Sequence, residues 1–179
     1  QAFYLQQNLN IKENLKIGGG VRIQNNLLGI GDVLNTSAPD YNSWDVKHTT
    51  FEDNKINYAF NIGFEQSFNE FLKIYGRIGN GFRYPNIDDR IGGSGGTSFE
   101  LKTQETNEIE IGFKNDQNKY SYNISSYIID GTNELGYDSD GFVNININST
   151  RRYGVELSNR YNINDKIKFK NNFTWSEAK

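Results

Sequence analysis

The stretch GNGFRYPNIDDRIGGSGGTSFELKTQETNEIEIGFK, Gly79–Lys114, reads as the end of one strand, a long polar loop and the start of the next. At its far side Glu108-Ile109-Glu110-Ile111-Gly112-Phe113-Lys114 alternates charged and apolar residues. Successive side chains of a strand point to opposite faces, so this run is apolar on one side and charged on the other. Between the two strands lies Gly92-Gly93-Ser94-Gly95-Gly96. A phosphate-binding loop needs Gly-Lys-Ser/Thr opening a helix. No helical period follows here, so the glycines make a loop tip.

Outward from this stretch the same unit repeats. Strands are expected over about 2–10, 15–25, 56–68, 72–83, 106–114, 120–129, 151–161 and 167–176. Three of the turns between them share a pattern, an acid two residues before a Leu/Ile-Lys-apolar start: Glu13 to Ile17, Glu70 to Ile74 and Asp165 to Phe169. A fourth short turn spans Asn115 to Lys119. Long connections fall between the short ones, at 25–55, 84–105 and 130–147. Strict alternation of short and long puts all long loops at one end of an antiparallel up-and-down meander. Most of the strands approach the ~9–11 residues that a tilted strand needs to cross a bilayer, against ~5–6 in soluble domains.

Composition sets the outer limits. The 179 residues include eighteen glycines, two prolines and no cysteine, with a net charge of −3. No disulfide framework or thiolate metal site can be built. No basic stripe points to nucleic acid. No apolar run is long enough for a membrane helix, which leaves a membrane barrel open because only every second residue of its strands faces lipid. The mean hydropathy of −0.73 fits that case. The chain opens on Gln1-Ala2-Phe3 with no export leader and stops soon after a strand begins, so both ends read as cuts through something larger.

One face of the last seven strands collects Ile17, Val21, Phe60, Ile62, Phe64, Ile74, Ile78, Ile109, Ile111, Phe113, Ile124, Ile128, Val155, Leu157, Phe173 and Trp175, without a charge. The opposite face carries Lys16, Arg22, Glu65, Lys73, Arg77, Glu108, Glu110, Lys114, Glu156, Arg160, Lys168 and Lys170. A soluble β-sandwich also alternates, with its apolar face inside. Strand length, the one-sided long loops, and Phe68, Phe71, Tyr120 and Tyr161 beside the short turns favour a membrane barrel with an interfacial aromatic girdle.

Three motifs carry a resemblance. Gly81-Phe82-Arg83-Tyr84-Pro85, then Leu101-Lys102-Thr103-Gln104-Glu105-Thr106 running into Glu108 to Lys114, and Arg151-Arg152-Tyr153-Gly154-Val155-Glu156 resemble the C-terminal barrel region of TonB-dependent outer-membrane receptors. There a GFR-x-P segment precedes a loop ending in L-K-P-E-T, then Y-E-x-G, then an R-x-x-G-x-E strand. The motifs and their spacing cover about half the chain. Gln104 stands where the family usually has proline. The resemblance implies an all-β fold: an antiparallel up-and-down transmembrane segment of about eight strands, within a larger barrel of about 22 strands whose lumen needs a plug. Residues 1–179 would then be a partial barrel domain in the bacterial outer membrane, lacking the plug and the remaining strands.

The function this implies is energy-coupled uptake of a scarce nutrient. An iron–siderophore complex is the first expectation; vitamin B12, haem and oligosaccharide are the others. The implied partners are the TonB energy-coupling complex acting through the N-terminal part, the plug of the same full-length chain, outer-membrane lipid and the small-molecule ligand. No enzymatic activity and no cofactor is expected. Two alternatives stay open at this point: a passive porin-like barrel and a soluble β-sandwich binding module. In the outer loops Tyr41, Trp44, Arg83 and Arg90 are the expected ligand contacts. On the charged face Arg77, Glu108, Glu110, Glu156 and Arg160 are expected to meet the plug. Asp138-Ser139-Asp140-Gly141 lacks the full spacing of a calcium loop and reads as a turn. His48, the single histidine, has no second histidine or cysteine with which to hold a metal.

Overall fold

The computed structural model describes residues 1–30, 51–90 and 98–179. Eight strands form one antiparallel sheet in the order β1 (Ala2–Lys12), β2 (Leu15–Ile30), β3 (Phe51–Ser67), β4 (Leu72–Arg83), β5 (Gln104–Asp116), β6 (Tyr120–Thr132), β9 (Thr150–Asn162) and β10 (Lys168–Ala178). Each expected strand is present. A second, two-stranded sheet pairs β7 (Glu134–Asp138) with β8 (Val143–Ile147), and a one-turn helix α1 spans Ile87–Arg90.

The register unites the apolar faces of the strands. One row crosses all eight: Leu9, Ile17, Phe64, Gly76, Ile111, Ser126, Val155 and Trp175 lie opposite one another in turn. The next row, on the other face, is Asn10, Lys16, Glu65, Tyr75, Gly112, Ser125, Glu156 and Thr174. A slip of one residue would invert the faces, so this agreement pins the register of the whole sheet. Gly76 is required in its row. A Cβ there would stand 2.7 Å from the Phe64 ring.

Among the described residues, nothing covers either face. Leu101, at 8% exposure, is the one large aliphatic side chain buried among the described residues, while Ile56 and Tyr58 are each 69% exposed. A sandwich would bury its apolar face against a second sheet. Here that face is a continuous outer surface, as a strand wall in lipid presents.

Two of the short turns are built by asparagine rather than by the acids beside them. Asn69 Oδ1 accepts the amides of Phe71 at 2.9 Å and Leu72 at 2.8 Å. Asn164 Oδ1 repeats this with Lys166 at 3.0 Å and Ile167 at 2.8 Å. Asparagine side chains that bond the backbone two residues on favour such turns. Tyr120 and Tyr161 sit directly opposite each other at this end of the apolar face, with Phe169 opposite Tyr161.

The first long connection is shorter than expected, and the third is not wholly loop. Residues 25–30 remain paired with residues 51–56, so the first connection is not loop over 25–55. The doublets Asn25-Asn26 and Leu27-Leu28 break the alternation there, and a strand beyond the bilayer has no need of one apolar face. The third connection, 130–147, contains the β7–β8 hairpin, whose register pairs Glu134 with Ile147 and Asp138 with Val143.

One seam interrupts the wall. β3 pairs with β4 only from Phe60–Asn80 to Ser67–Lys73. At its outer end the Asn80 side chain replaces a peptide group: its Oδ1 accepts the Phe60 amide at 2.8 Å and its Nδ2 donates to the Tyr58 carbonyl at 3.2 Å. Beyond Asn80 the strands splay. The Arg22 guanidinium, opposite the small Ala59, lies 5.5 Å from the centre of the Phe82 ring.

Candidate functional site

Two assemblies of polar side chains stand out, one on the charged face of the sheet and one among the long connections.

On the charged face Arg77 lies directly opposite Glu110, and its Nε donates to Glu110 Oε2 at 2.6 Å. Its Nη1 is 3.6 Å from Glu108 Oε1, and the Tyr75 hydroxyl donates to Glu110 Oε1 at 3.2 Å. Opposite charges facing each other across a ladder stabilise it. Tyr75 is held flat by its neighbour: a Cβ on Gly112 would fall 2.5 Å from the ring, so only glycine leaves room beneath it. Tyr127 lies over Gly154 in the same way.

The five charges expected to act together divide. Arg77, Glu108 and Glu110 form the cluster. Glu156 lines the same recess of about 340 Å³, with Tyr127 and Arg152, but makes no ion pair among the described residues. Arg160 lies two same-face positions further along β9 and pairs instead with Asp116 at 3.2 Å. Two partners were not anticipated. Arg152 donates to Glu134 at 2.7 Å, whose side chain is only 10% exposed. Glu65 accepts from Lys73 at 3.2 Å and also from Lys114.

Among the long connections, the centre is Arg90, 1% exposed. Its Nη2 is 3.3 Å from Asp53 Oδ2, its Nη1 donates to the Phe99 carbonyl, and its guanidinium stacks on Phe51 at 5.0 Å and Tyr84 at 5.4 Å. Phe51 stacks in turn on Phe99, centroids 5.1 Å apart. The Tyr84 hydroxyl donates to the same Asp53 oxygen at 2.9 Å. Burial, and then that bond to a carboxylate, push the Tyr84 phenol above the ordinary tyrosine range. A guanidinium tolerates burial when planar aromatic faces and a carboxylate surround it.

The chain reaches this cage through a capped turn. Asn86 Oδ1 accepts the Asp89 amide at 2.8 Å while Asp89 Oδ2 accepts the Asn86 amide at 2.9 Å, a reciprocal capping box. Asp89 Oδ1 also takes Arg83 Nη2 at 2.8 Å. The β7–β8 hairpin is tied to this segment by two asparagines. Asn144 Nδ2 donates to the Asp89 carbonyl at 2.9 Å. Asn146 pairs with the Lys102 backbone as a strand would, accepting from its amide at 2.7 Å and donating to its carbonyl at 3.1 Å.

Of the four expected ligand contacts, Arg83 is half exposed and ion-paired, while Arg90 points inward and serves the cage. Tyr41 and Trp44 lie outside the described residues, as do His48 and the glycine run 92–96. Sequence reasoning missed the inward turn of Arg90 because a charged loop residue is ordinarily solvated. No sign in the sequence marks it, because Phe51 and Phe99 are brought to Arg90 only by the fold.

Comparison with known proteins gives a consistent result. A sequence model of the family described as "TonB dependent receptor-like, beta-barrel" matches residues 1–179. No curated protein sequence matches the chain. Among solved structures, the siderophore receptor PirA from Pseudomonas aeruginosa superposes with a TM-score of 0.74 at 13% identity, covering 99% of this chain and 31% of that one. The ferric yersiniabactin uptake receptor FyuA from Yersinia pestis gives 0.78 at 14% identity, covering 99% and 26%. The copper transporter OprC gives 0.77 at 15% identity, covering 99% and 28%. At these identities the likeness is one of fold, and the chain spans about a quarter to a third of those proteins.

Proposed function

The chain belongs to the TonB-dependent receptor β-barrel family, and from that premise we propose that it is part of the wall of a bacterial outer-membrane receptor for energy-coupled uptake of a scarce nutrient. The observation that carries this reading is the division of one eight-stranded sheet into an exposed apolar face, whose charges (Glu52, Glu105, Asp130, Arg151 and Glu177) lie only towards the long-connection ends of the strands, and a charged, partly ion-paired polar face. In lipid that division is stable only if the polar face lines an aqueous or protein-filled interior. Residues 1–179 are accordingly a partial barrel domain, with the plug and the other strands elsewhere in the full-length protein. The three long connections face outward and the turns near 12, 70, 117 and 164 face the periplasm.

A ferric siderophore is the cargo this reading favours, because PirA and FyuA are iron–siderophore receptors by name. The same wall in OprC, named a copper transporter, shows that fold alone does not choose the cargo, so vitamin B12, haem and oligosaccharide stay as outcomes of the test. Tyr41, Trp44 and Arg83 are the ligand contacts we assign to the outer loops, with Arg90 acting through the segment it anchors. Arg77, Glu108, Glu110, Glu156 and Arg160 face the plug. TonB acts on the part of the protein outside this chain, and no catalysis is involved.

The deciding experiment is growth under iron limitation on a panel of ferric siderophores, in cells carrying or lacking the full-length gene. Uptake that requires both the gene and the energy-coupling protein supports the proposal. Uptake that persists without energy coupling, with steady conductance in planar bilayers, indicates a passive porin.

A further inference from the structure

Long connections are ordinarily the mobile part of a fold, each free of the others. Here the second connection is tied to both of its neighbours at α1, through two consecutive residues. The Arg90 side chain reaches back to Phe51 and Asp53, which open β3 directly after the first connection. The Asp89 carbonyl accepts Asn144 Nδ2 of the third connection at 2.9 Å. Ser98 brings the second connection back to the same point, its amide donating to the Arg90 carbonyl at 2.7 Å. Just beyond, the Phe99 ring stacks on Phe51 and Leu101 is buried.

The third connection is held as firmly. Asn133 precedes the β7–β8 hairpin in the left-handed region, at φ 52°, which asparagine adopts more readily than most residues. Its carbonyl accepts Asn146 Nδ2 at 2.8 Å, while the same side-chain amide takes both backbone groups of Lys102. Gln104 Oε1 accepts the Leu135 amide at 3.3 Å. The hairpin thus grips the second connection at two points, Asp89 and Lys102. Among the described residues it makes no hydrogen bond or ion pair with Phe51 or Asp53.

We propose that α1 joins the three long connections into one cooperative rim, so that a ligand held by any one of them steadies the other two. A four-residue turn cannot rotate without losing Asp53 on one side or Asn144 on the other. Arg90 is buried, so drawing its charge out of the cage breaks the aromatic stacking and the carboxylate pair together. Opening the rim is therefore one event rather than three. The inference rests on the receptor reading only in placing the rim outside the cell with a ligand upon it. Its test reads the coupling alone, so failure of the growth experiment removes that reading and leaves the joint standing.

The test is amide hydrogen exchange, followed by mass spectrometry, on the full-length receptor in detergent. Asp53→Ala removes the counter-charge of Arg90. Exchange is expected to quicken about tenfold in residues 133–147, which Asp53 does not bond, the worth of roughly one net hydrogen bond. Asn146→Ala loses only Lys102 and the Asn133 carbonyl, and should quicken residues 84–90 in the same way. The double variant should be no looser in either segment than the looser single one, because a joint already open cannot be opened again. Residues 106–114 of the wall should exchange as in the unaltered protein. Asp53→Asn, which keeps the volume, takes the place of Asp53→Ala if that protein does not insert. Quickening confined in each variant to the segment that lost its own contact overturns the proposal, as do effects that simply add in the double variant. Rates that rise equally in 106–114 report a loosened wall and overturn it too.

Discussion

Arg90, at the end of the one-turn helix α1, shows how a single side chain can anchor a connection to the strand wall. Its charge is held by Asp53 and two aromatic faces, so Asp53→Ala would leave a buried cation without its counter-charge. Breaking such a pair from one side costs about 3–5 kcal/mol. The expected result is rapid proteolysis within residues 84–103 while the strand wall stays intact, with Asp53→Asn milder. Wild-type protection in Asp53→Ala would mean that stacking on Phe51 and Tyr84 suffices. Tyr84 adds a pH dependence of definite sign. Its phenol is raised in the folded protein, so its contribution is complete below the ordinary tyrosine value of about 10 and is lost as pH rises through the raised one. Loop protection should therefore show an alkaline step that Tyr84→Phe abolishes; an equal step in that variant would assign it to another tyrosine. None of this was legible beforehand. A buried loop arginine and an exposed one have the same neighbours in sequence, and only the return of residues 51–53 past the helix turn separates them.

At the scale of the strand, the sequence speaks clearly wherever two solvents are imposed on one ribbon. Residues 56–64 and 106–114 alternate because one side of each meets an apolar surrounding and the other a polar one. Their register then follows without further information. Where both sides meet water the constraint lapses, which is why residues 25–30 and 51–55 read as loop and yet form paired strand. The β7–β8 hairpin was legible in principle from Val143-Asn144-Ile145-Asn146-Ile147, whose asparagines all face the segment they bind. The facing of the main strands has a direct check. Ile111→Arg should impair insertion of the full-length protein, since an arginine near the bilayer midplane costs about 2–4 kcal/mol. Ser158→Arg, between Asn123 and Asn172 on the polar face, should insert normally. Insertion measured by heat-modifiable mobility that is equally poor in both would reverse the assignment of the faces. Gly112 is unsuitable as the polar-face control, because any side chain there displaces Tyr75.

For the molecule as a whole, the wall is less uniform than its hydrogen-bonded outline implies. Eight register pairs join β3 to β4, against sixteen between β2 and β3 and twelve between β4 and β5. The outermost connection across that boundary runs through the Asn80 side chain rather than through peptide groups. Mechanically this is a perforation. When the full-length receptor is drawn from a membrane by one end in a force experiment, a step is expected to finish at the β3–β4 boundary. Asn80→Ala should lower the force of that step and leave the others unchanged. Extraction in regular pairs of strands, indifferent to Asn80, would mean that the tear line carries full load. A barrel wall with a built-in tear line has a preferred place at which to be opened, whether by a pulling hand or by the machinery that first inserts it.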